Sequence, residues 1–348
     1  SKERVRALPE RFRVSVVFAA YKEHNRLRTR AEHPHGEDFL VRKVRQLEWL
    51  FDGVPHAPWE MLLVDDGCPE GSGRIAQEIT DADGFGDRVK VLFLQEAIDS
   101  GHPAAVGLAT TVDSQKGGSI QYGMAVAAED DSTDHVVVFT DADLSTHLGQ
   151  VGLLLDPILR EGYDAAIGSR REPMSVVIKS GARNERGKLF IYLWKRLLPQ
   201  LSPIIDTQCG FKAFRADVTK KIVDGTIEKR FAFDIELLLR TVLARPGSIA
   251  RVPIAWIDSE AASTTKELQP YLRMLQSIVR ISKHYLPPND EAESFATLID
   301  SLDDASWTRL SESIPVQIAK REPIEFDQYQ DVSAEDLAQV AHSVRPRA

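Results

Sequence analysis

An α/β fold, with a mostly parallel sheet flanked by helices and a C-terminal helical extension, is the class this sequence predicts. Three stretches carry that expectation. Val136 to Leu144 (VVVFTDADL) opens as a β-branched and aromatic run without polar alternation, which is how a strand buried on both faces reads. Arg13 to Ala20 (RVSVVFAA) is a second such run and enters the polar turn Tyr21-Lys22-Glu23-His24-Asn25. Trp59 to Val64 (WEMLLV) is a third and enters Asp65-Asp66-Gly67. All three end in polar or acidic residues, and open α/β sheets bind ligands at the carboxyl ends of their strands.

Composition narrows the classes. The chain has 348 residues, 43% apolar and 27% charged, which is ordinary for a globular protein. No apolar stretch approaches the roughly 20 residues that span a bilayer, so no membrane span is expected, and peripheral membrane contact stays open. The start, SKERVRALPERFR, has no apolar signal core. Cys68 and Cys209 make no disulfide framework. A reducing, cytoplasmic setting is expected, with contact at the cytoplasmic membrane face open. A net charge of −9 argues against nucleic-acid binding. The charge is uneven: Leu286 to Ala348 holds 13 acids and 5 bases.

Taken in order, the first strand is followed by a long insertion, about 26–58, in which Phe39, Leu40, Val44, Leu47, Leu50 and Phe51 recur at helical spacing. A helix from about Asp38 to Phe51 is predicted. Arg28, Arg30, Arg42, Lys43 and Arg45 make this segment basic; a solvated face is expected, with an anion or acceptor contact as the alternative. After the second strand, the glycines of Gly67-Cys68-Pro69-Glu70-Gly71-Ser72-Gly73 permit close backbone approach before a helix from Arg74 to Thr80. Asp65 and Asp66 can accept hydrogen bonds from a base N–H or ribose hydroxyls. Val89 to Leu94 is a third strand. A second long insertion, about 95–118, ends in Lys116-Gly117-Gly118, where a lysine at a helix start suits a phosphate.

The central strand runs into Asp141-Ala142-Asp143. Paired carboxylates are hard oxygen ligands suited to Mg²⁺ or Mn²⁺ on a diphosphate. Beyond them, a helix is predicted over Leu148 to Arg160 and a short strand over Asp164 to Gly168, leading to Ser169-Arg170-Arg171. Lys188 to Leu198 (KLFIYLWKRLL) is an apolar helix expected in a core, with a greasy acceptor face as the alternative. Asp206 to Phe214 (DTQCGFKAF) follows a loop. Arg230 to Glu236 opens a helix through Leu243, with Asp234 and Glu236 near its N-terminus. Ile249 to Ile257 is a late strand in which Pro253 marks an edge or bulge. A helix from Tyr271 to Tyr285 precedes the linker Leu286 to Asp290, and helices over Ala292 to Leu302 and Ala334 to Ser343 complete the chain. The expected division is a catalytic domain over 1–286 and an acidic, mostly helical extension over 287–348, which covers the acceptor cleft or makes a homodimer contact.

The motifs AAYKEHNRL, LLVDDGCPEG, KGGSIQYGM, VVFTDADL, IGSRR, DTQCGFKAF, RFAFDIELL and VPIAWID stand in this order over about Arg13 to Ser263. Together they resemble family-2 glycosyltransferases of the GT-A (Rossmann-like) fold, and among them dolichyl-phosphate β-glucosyltransferase and dolichyl-phosphate mannose synthase. The resemblance implies an inverting, Mg²⁺- or Mn²⁺-dependent transfer of a sugar from a nucleotide-diphosphate donor, UDP-glucose first, to a dolichyl or polyprenyl phosphate. A soluble acceptor such as a metabolite, natural product or peptide is the alternative.

By the same resemblance, Ala20, Tyr21 and Glu23 match the first nucleotide-binding loop, and Asp65 and Asp66 the base-binding acids. Lys116 matches the Gly-Lys-Gly turn. Asp141, Ala142 and Asp143 match the DxD, with Asp143 and Asp141 as metal ligands. Arg170 and Arg183 match phosphate-facing positions, Asp206 the acceptor-side loop, and Asp234 and Glu236 the catalytic acids. The chain departs from the pattern at Tyr-Lys-Glu in place of Tyr-Asn-Glu, and at Ala262-Ser263-Thr264-Thr265-Lys266 in place of Gly-Ser-Lys. A sugar-phosphate nucleotidyltransferase is disfavoured because AAYKEHNRL lacks a Gly-rich basic loop. A non-catalytic sugar-nucleotide module would bind without turnover.

Overall fold

The computed structural model describes residues 1–8, 11–132, 134–178, 184–258 and 269–343. It falls into two compact units: Ser1–Lys179 with Asp206–Ala262, and Ser180–Ile205 with Ser263–Ala348. Arg183 and the 259–268 stretch, including Lys266, lie outside the described residues.

The first unit is a seven-stranded sheet. Its strands are β1 (Arg13–Ala20), β2 (Trp59–Asp65), β3 (Val89–Phe93), β4 (His135–Thr140), β5 (Ala165–Ser169), β7 (Phe211–Arg215) and β8 (Ile249–Pro253), in spatial order β3-β2-β1-β4-β7-β5-β8. A separate parallel pair joins β6 (Val176–Ile178) to β9 (Ala255–Ile257). The late strand expected over 249–257 is therefore two strands in two sheets, and Pro253 ends β8 at the edge of the larger one.

All neighbours in the large sheet are parallel except β7, which is antiparallel to both β4 and β5. No strand is expected over 206–214 from the sequence, where Lys212 sits within a run of only five residues. The antiparallel insertion decides the site. Its first residue, Phe211, pairs with Thr140, the last of β4. The loop before β7 therefore lies at the same sheet edge as the carboxyl ends of β1, β2, β4 and β5.

Helices of this unit are α1 (Lys2–Arg6), α2 (Phe39–Phe51), α3 (Ser72–Ala82), α4 (Leu94–Asp99), α5 (Gly117–Ala127), α6 (Val151–Glu161), α8 (Ala216–Val223) and α9 (Phe233–Ala244). The 95–118 insertion is thus partly helical. Strand periodicity divides the core. Val14, Val16 and Phe18 join Val136 and Val138 in one cluster with Leu40, Val44 and Leu47 of α2 and Leu154 and Leu155 of α6. On the opposite face α5 packs so closely that a Cβ on Gly123 would lie 2.5 Å from Val17 Cγ1.

The second unit contains α7 (Asn184–Leu197), α10 (Gln269–Tyr285), α11 (Asp290–Ser301), α12 (Asp304–Glu312), α13 (Val316–Lys320) and α14 (Ala334–His342). The boundary expected at residue 286 does not coincide with this division. The apolar helix α7 is core here. Tyr192 meets the rings of Phe295 and Phe326 at 6.3 and 5.3 Å, and its hydroxyl donates to the Val332 carbonyl at 2.7 Å. The acidity of the tail has a partner in the same helix. Lys188 pairs with Glu322 at 3.0 Å and Lys195 with Asp327 at 2.7 Å, both lysines being buried. Among the described residues no helix is long and apolar enough to cross a membrane.

Deleting residues 289–348 is expected to strip these partners from α7. Limited trypsin digestion should then cut at Lys188, Lys195 or Arg196, which the full chain buries. Trp307→Ala, removing a fully buried ring, should cost about 3–5 kcal/mol in a thermal or urea melt.

Candidate active site

The site is built where the strand ends converge. Ala20 closes β1 beside Asp65, and the Asp66 N–H donates to the Ala20 carbonyl at 3.1 Å. The first loop continues with exposed Tyr21 and with Lys22, whose φ of 58° is left-handed. Two donors tie this loop to the second: Lys22 N–H to Cys68 Sγ at 3.2 Å, and Glu23 N–H to Ser72 Oγ at 2.9 Å.

The two adjacent acids do different work. Asp65 accepts the Cys68 N–H on Oδ1 and the Gly73 N–H on Oδ2 at 2.7 Å, so both oxygens organise the turn into α3. Asp66 accepts from Ser119 Oγ at 2.7 Å and from the Lys116 N–H at 2.8 Å. Burial raises the Asp66 pKa, against these hydrogen bonds. Asp66 thereby holds the Lys116 turn, where φ is 95°.

That turn aims Lys116 at the DxD, and its ammonium pairs with Asp141. Burial works against the Lys116 charge, but the Asp141 carboxylate outweighs it and raises the pKa. Burial alone would raise Asp141; Lys116, Lys212 and Arg170 hold it below the usual range. Asp234 and Asp143 also favour the charged form of Lys116. Asp143 accepts on Oδ1 from the N–H and hydroxyl of Ser145. Ala142 between them is buried in the α2 and α6 cluster. Glu23 reaches the same region: burial raises its pKa, Arg26 opposes through a 2.7 Å ion pair, and Asp143 raises it further.

The loop before β7 supplies the other wall. Asp206 is gripped by Arg170, whose Nε, Nη2 and backbone N–H donate at 2.8, 2.7 and 2.7 Å. The guanidinium stacks 5.2 Å from the Trp256 ring. Burial alone would raise the Asp206 pKa; Arg170 beside it wins and holds it at about 2. A carboxylate that acidic is a poor proton acceptor near neutral pH. Its geometry is that of a brace for Arg170.

Asp234 and Glu236 separate for a helical reason. Residues two apart on a helix do not share a face. Asp234 accepts Gln208 Nε2 at 2.7 Å and Lys212 Nζ at 3.1 Å, so it joins the β7 loop. Burial raises its pKa against the pull of Lys212 and Gln208. Glu236 is fully buried and accepts the N–H groups of Ile227 and Glu228 at 2.8 Å each. It braces the 226–230 loop, and the catalytic expectation for Glu236 gives way to that contact.

Three contributors escaped the sequence reading. Lys212 is fully buried, 5.2 Å from the Phe139 ring centroid, and donates to the Cys209 carbonyl as well as Asp234. Gly210 is required by close approach: a Cβ there would lie 2.2 Å from Asp141 Oδ1. Lys43 is buried and donates to the Asp141 carbonyl at 3.0 Å. A lysine inside an apolar run, as in FLVRKV and GFKAF, was the available signal.

The donor set fits a hard divalent cation. Asp141 already lies against a cation, the Lys116 ammonium, and Asp143 keeps Oδ2 without a protein partner among the described residues. No cluster of three His, Cys, Asp or Glu occurs among the described residues. Two carboxylates suit an ion that takes further ligands from a diphosphate and water.

Comparison with known proteins agrees with this architecture. The family model "Glycosyl transferase family 2" matches residues 15–223. The chain belongs to this family. As a family-2 glycosyltransferase it is similar to Drosophila melanogaster dolichyl-phosphate β-glucosyltransferase, 28% identical over 282 residues, covering 78% of this chain and 75% of that one. It is similar to Glycosyltransferase AglD of Haloferax volcanii, 25% identical over 244 residues. That match covers 70% of this chain but only 33% of AglD, so the chain spans about a third of that relative. Among solved structures it resembles glucosyl-3-phosphoglycerate synthase of Mycobacterium tuberculosis, crystallised with Mn²⁺ and UDP-glucose. There the TM-score is 0.54 at 18% identity, covering 84% and 85% of the two chains, a likeness of GT-A fold.

Gly210→Ala should displace Asp141 and lower transfer kcat by about 100-fold, the scale of a 1 Å misplacement, with a smaller loss in the thermal melt. Glu236→Gln should do the reverse: lower the melting temperature through about 1–3 kcal/mol of disturbed buried hydrogen bonds, and leave kcat within a few-fold.

Proposed function

We propose that this family-2 glycosyltransferase performs an inverting transfer of glucose from UDP-glucose to a polyprenyl or dolichyl phosphate. The observation that carries the reading is the Lys116 ammonium paired with Asp141 of the DxD at the sheet edge, where Asp143 and Asp234 also favour its charge. It joins a carboxylate pair suited to a diphosphate-bound metal with a separate, buried acid of raised pKa. The names of the relatives supply the donor sugar and the acceptor class.

Asp143 and Asp141 would hold Mg²⁺ or Mn²⁺, which supplies charge neutralisation to the departing diphosphate. Lys116 adds a fixed cation on the same side, placed by Asp66 before any ligand arrives. Tyr21 and Glu23 present the first loop to the nucleotide, and Asp65 and Asp66 shape its floor through backbone contacts. Asp234 is the proton acceptor for a hydroxyl nucleophile, since a raised pKa improves a carboxylate as a base. A phosphate acceptor arrives ionised and needs cations instead. Arg170, fixed by Asp206, is the described candidate; Arg183 lies outside the described residues.

One observation favours the alternative of a soluble acceptor. The apolar helix α7, the strongest sequence candidate for a greasy acceptor surface, is core of the second unit.

The first test is release of nucleotide from UDP- and GDP-sugars with Mn²⁺ or Mg²⁺, with and without a short polyprenyl phosphate. Formation of a lipid-linked sugar supports the reading; metal-dependent donor hydrolysis indifferent to the lipid moves it to a soluble acceptor. Asp143→Ala should abolish turnover, and wild-type rates in that variant would sink the metal assignment. With a hydroxyl acceptor, Asp234→Asn should lower kcat at least 100-fold, the lower end of the range of about 10²–10⁴ for a lost general base. The wild-type rate should fall as pH drops through the Asp234 pKa, at a pH above the ordinary aspartate range. Lys212→Met removes a cation that lowers that pKa, so the acid limb should move to higher pH.

A further inference from the structure

Helix α2 buries a stripe that includes Leu40, Val44 and Leu47, and Lys43 lies within it at 0% exposure. An ammonium in that position is costly. Removing one charge from water costs several kcal/mol even after relaxation, and an apolar residue of the same length would fill the space without that cost. Lys43 nevertheless makes no ion pair among the described residues. Its Nζ donates once, to the Asp141 carbonyl at 3.0 Å, and stands 5.5 Å from the Phe18 ring centroid. The other two N–H bonds have no acceptor among the described residues.

The charges it faces are those of the site. Asp143, Asp141 and Glu23 favour its protonated form, while Arg26 opposes it. The charge of Lys43 also disfavours a protonated His147. The arrangement is a fixed cation behind the Asp141 peptide, walled from water by the same apolar cluster that carries α2 on the sheet.

We propose that Lys43 is a positioning residue whose buried charge gives the DxD edge a positive background that favours a nucleoside diphosphate, independently of the metal. The proposal rests on the reading of this edge as the donor site. A charge in a water-poor setting acts more strongly than one at the surface, because less solvent screens it. Its sign sets two effects in opposite directions. It attracts the diphosphate, and it repels a divalent cation from Asp141 and Asp143. A purely structural prop would have neither sign, since a loosened DxD weakens both ligands.

The experiment is calorimetric titration of the full chain at pH 7 with UDP and with GDP, in EDTA, for wild type, Lys43→Met and Lys43→Gln. Mn²⁺ titrations of donor hydrolysis run in parallel, and thermal melts establish folding. Folded variants should bind the better nucleotide about tenfold more weakly without metal, equal to about 1.4 kcal/mol. They should reach half-activation at the same or a lower Mn²⁺ concentration. Gln, which keeps a donor for the carbonyl but no charge, should behave as Met does. Unchanged metal-free affinity in a folded variant would overturn the proposal. So would parallel losses of nucleotide and Mn²⁺ affinity, or failure of both variants to fold, each of which would make Lys43 structural. A wild type that binds neither nucleotide, with or without Mn²⁺, would instead overturn the donor-site reading beneath it.

Discussion

Like charges crowded at a buried edge must be compensated from within the fold. Glu23, Asp65, Asp66, Asp141, Asp143, Asp206 and Asp234 all lie at or beside the carboxyl end of one sheet. Isolated carboxylates there would take up protons instead of staying ionised. Six are answered by cations or backbone donors, and Asp143 by the Ser145 N–H and hydroxyl. Arg26 pairs with Glu23, Lys116 with Asp141, Arg170 with Asp206 and Lys212 with Asp234. Backbone N–H groups satisfy Asp65 and share Asp66. The edge is thus a mesh of opposite charges that only the complete first unit can hold together.

That constraint explains the antiparallel strand. With β7 inserted between β4 and β5, the 206–210 loop reaches the edge from the opposite chain direction. It brings Asp206 to Arg170, Gln208 and Lys212 to Asp234, and Gly210 against the Asp141 carboxylate. A fully parallel sheet would send that loop to the other edge and leave Arg170 and Asp234 without these partners. The same compensation sorts the acids by role. Asp206, with a guanidinium on it, is fixed as an anion; Asp234, with weaker cationic help than its burial demands, is left with a raised pKa. Differences of this kind separate bracing carboxylates from proton-transferring ones.

Legibility in the sequence followed length and periodicity. The β1 run RVSVVFAA and the α2 stripe read out nearly to the residue, because long buried elements leave repeated apolar signals. Strand β7 did not, because FKAFR is short and carries a charged residue, Lys212, at its second position. The acids Asp65, Asp66, Asp141, Asp143, Asp206 and Asp234 were all visible as strand-end or motif residues. Their division of labour was not. Asp234 and Glu236 are equivalent in sequence, and only the α9 rotation sends one to the β7 loop and the other to the 226–230 loop. Lys43 looked like one of several basic residues on a wet face.

The sequence by itself determined the fold class, the strands whose ends carry acids, and membership in a family whose motifs it repeats in order. Those properties are written in local patterns of hydrophobicity and in residue identity. Tertiary structure alone decided which carboxylate meets which cation, which acid is held near pKa 2 and which is pushed up. It also decided that α7 belongs with the acidic tail, whose Glu322 and Asp327 neutralise its lysines. These are properties of pairs far apart in the chain, and an electrostatic interaction depends on separation in space and on the water removed from between the charges. Neither quantity is encoded in any single stretch.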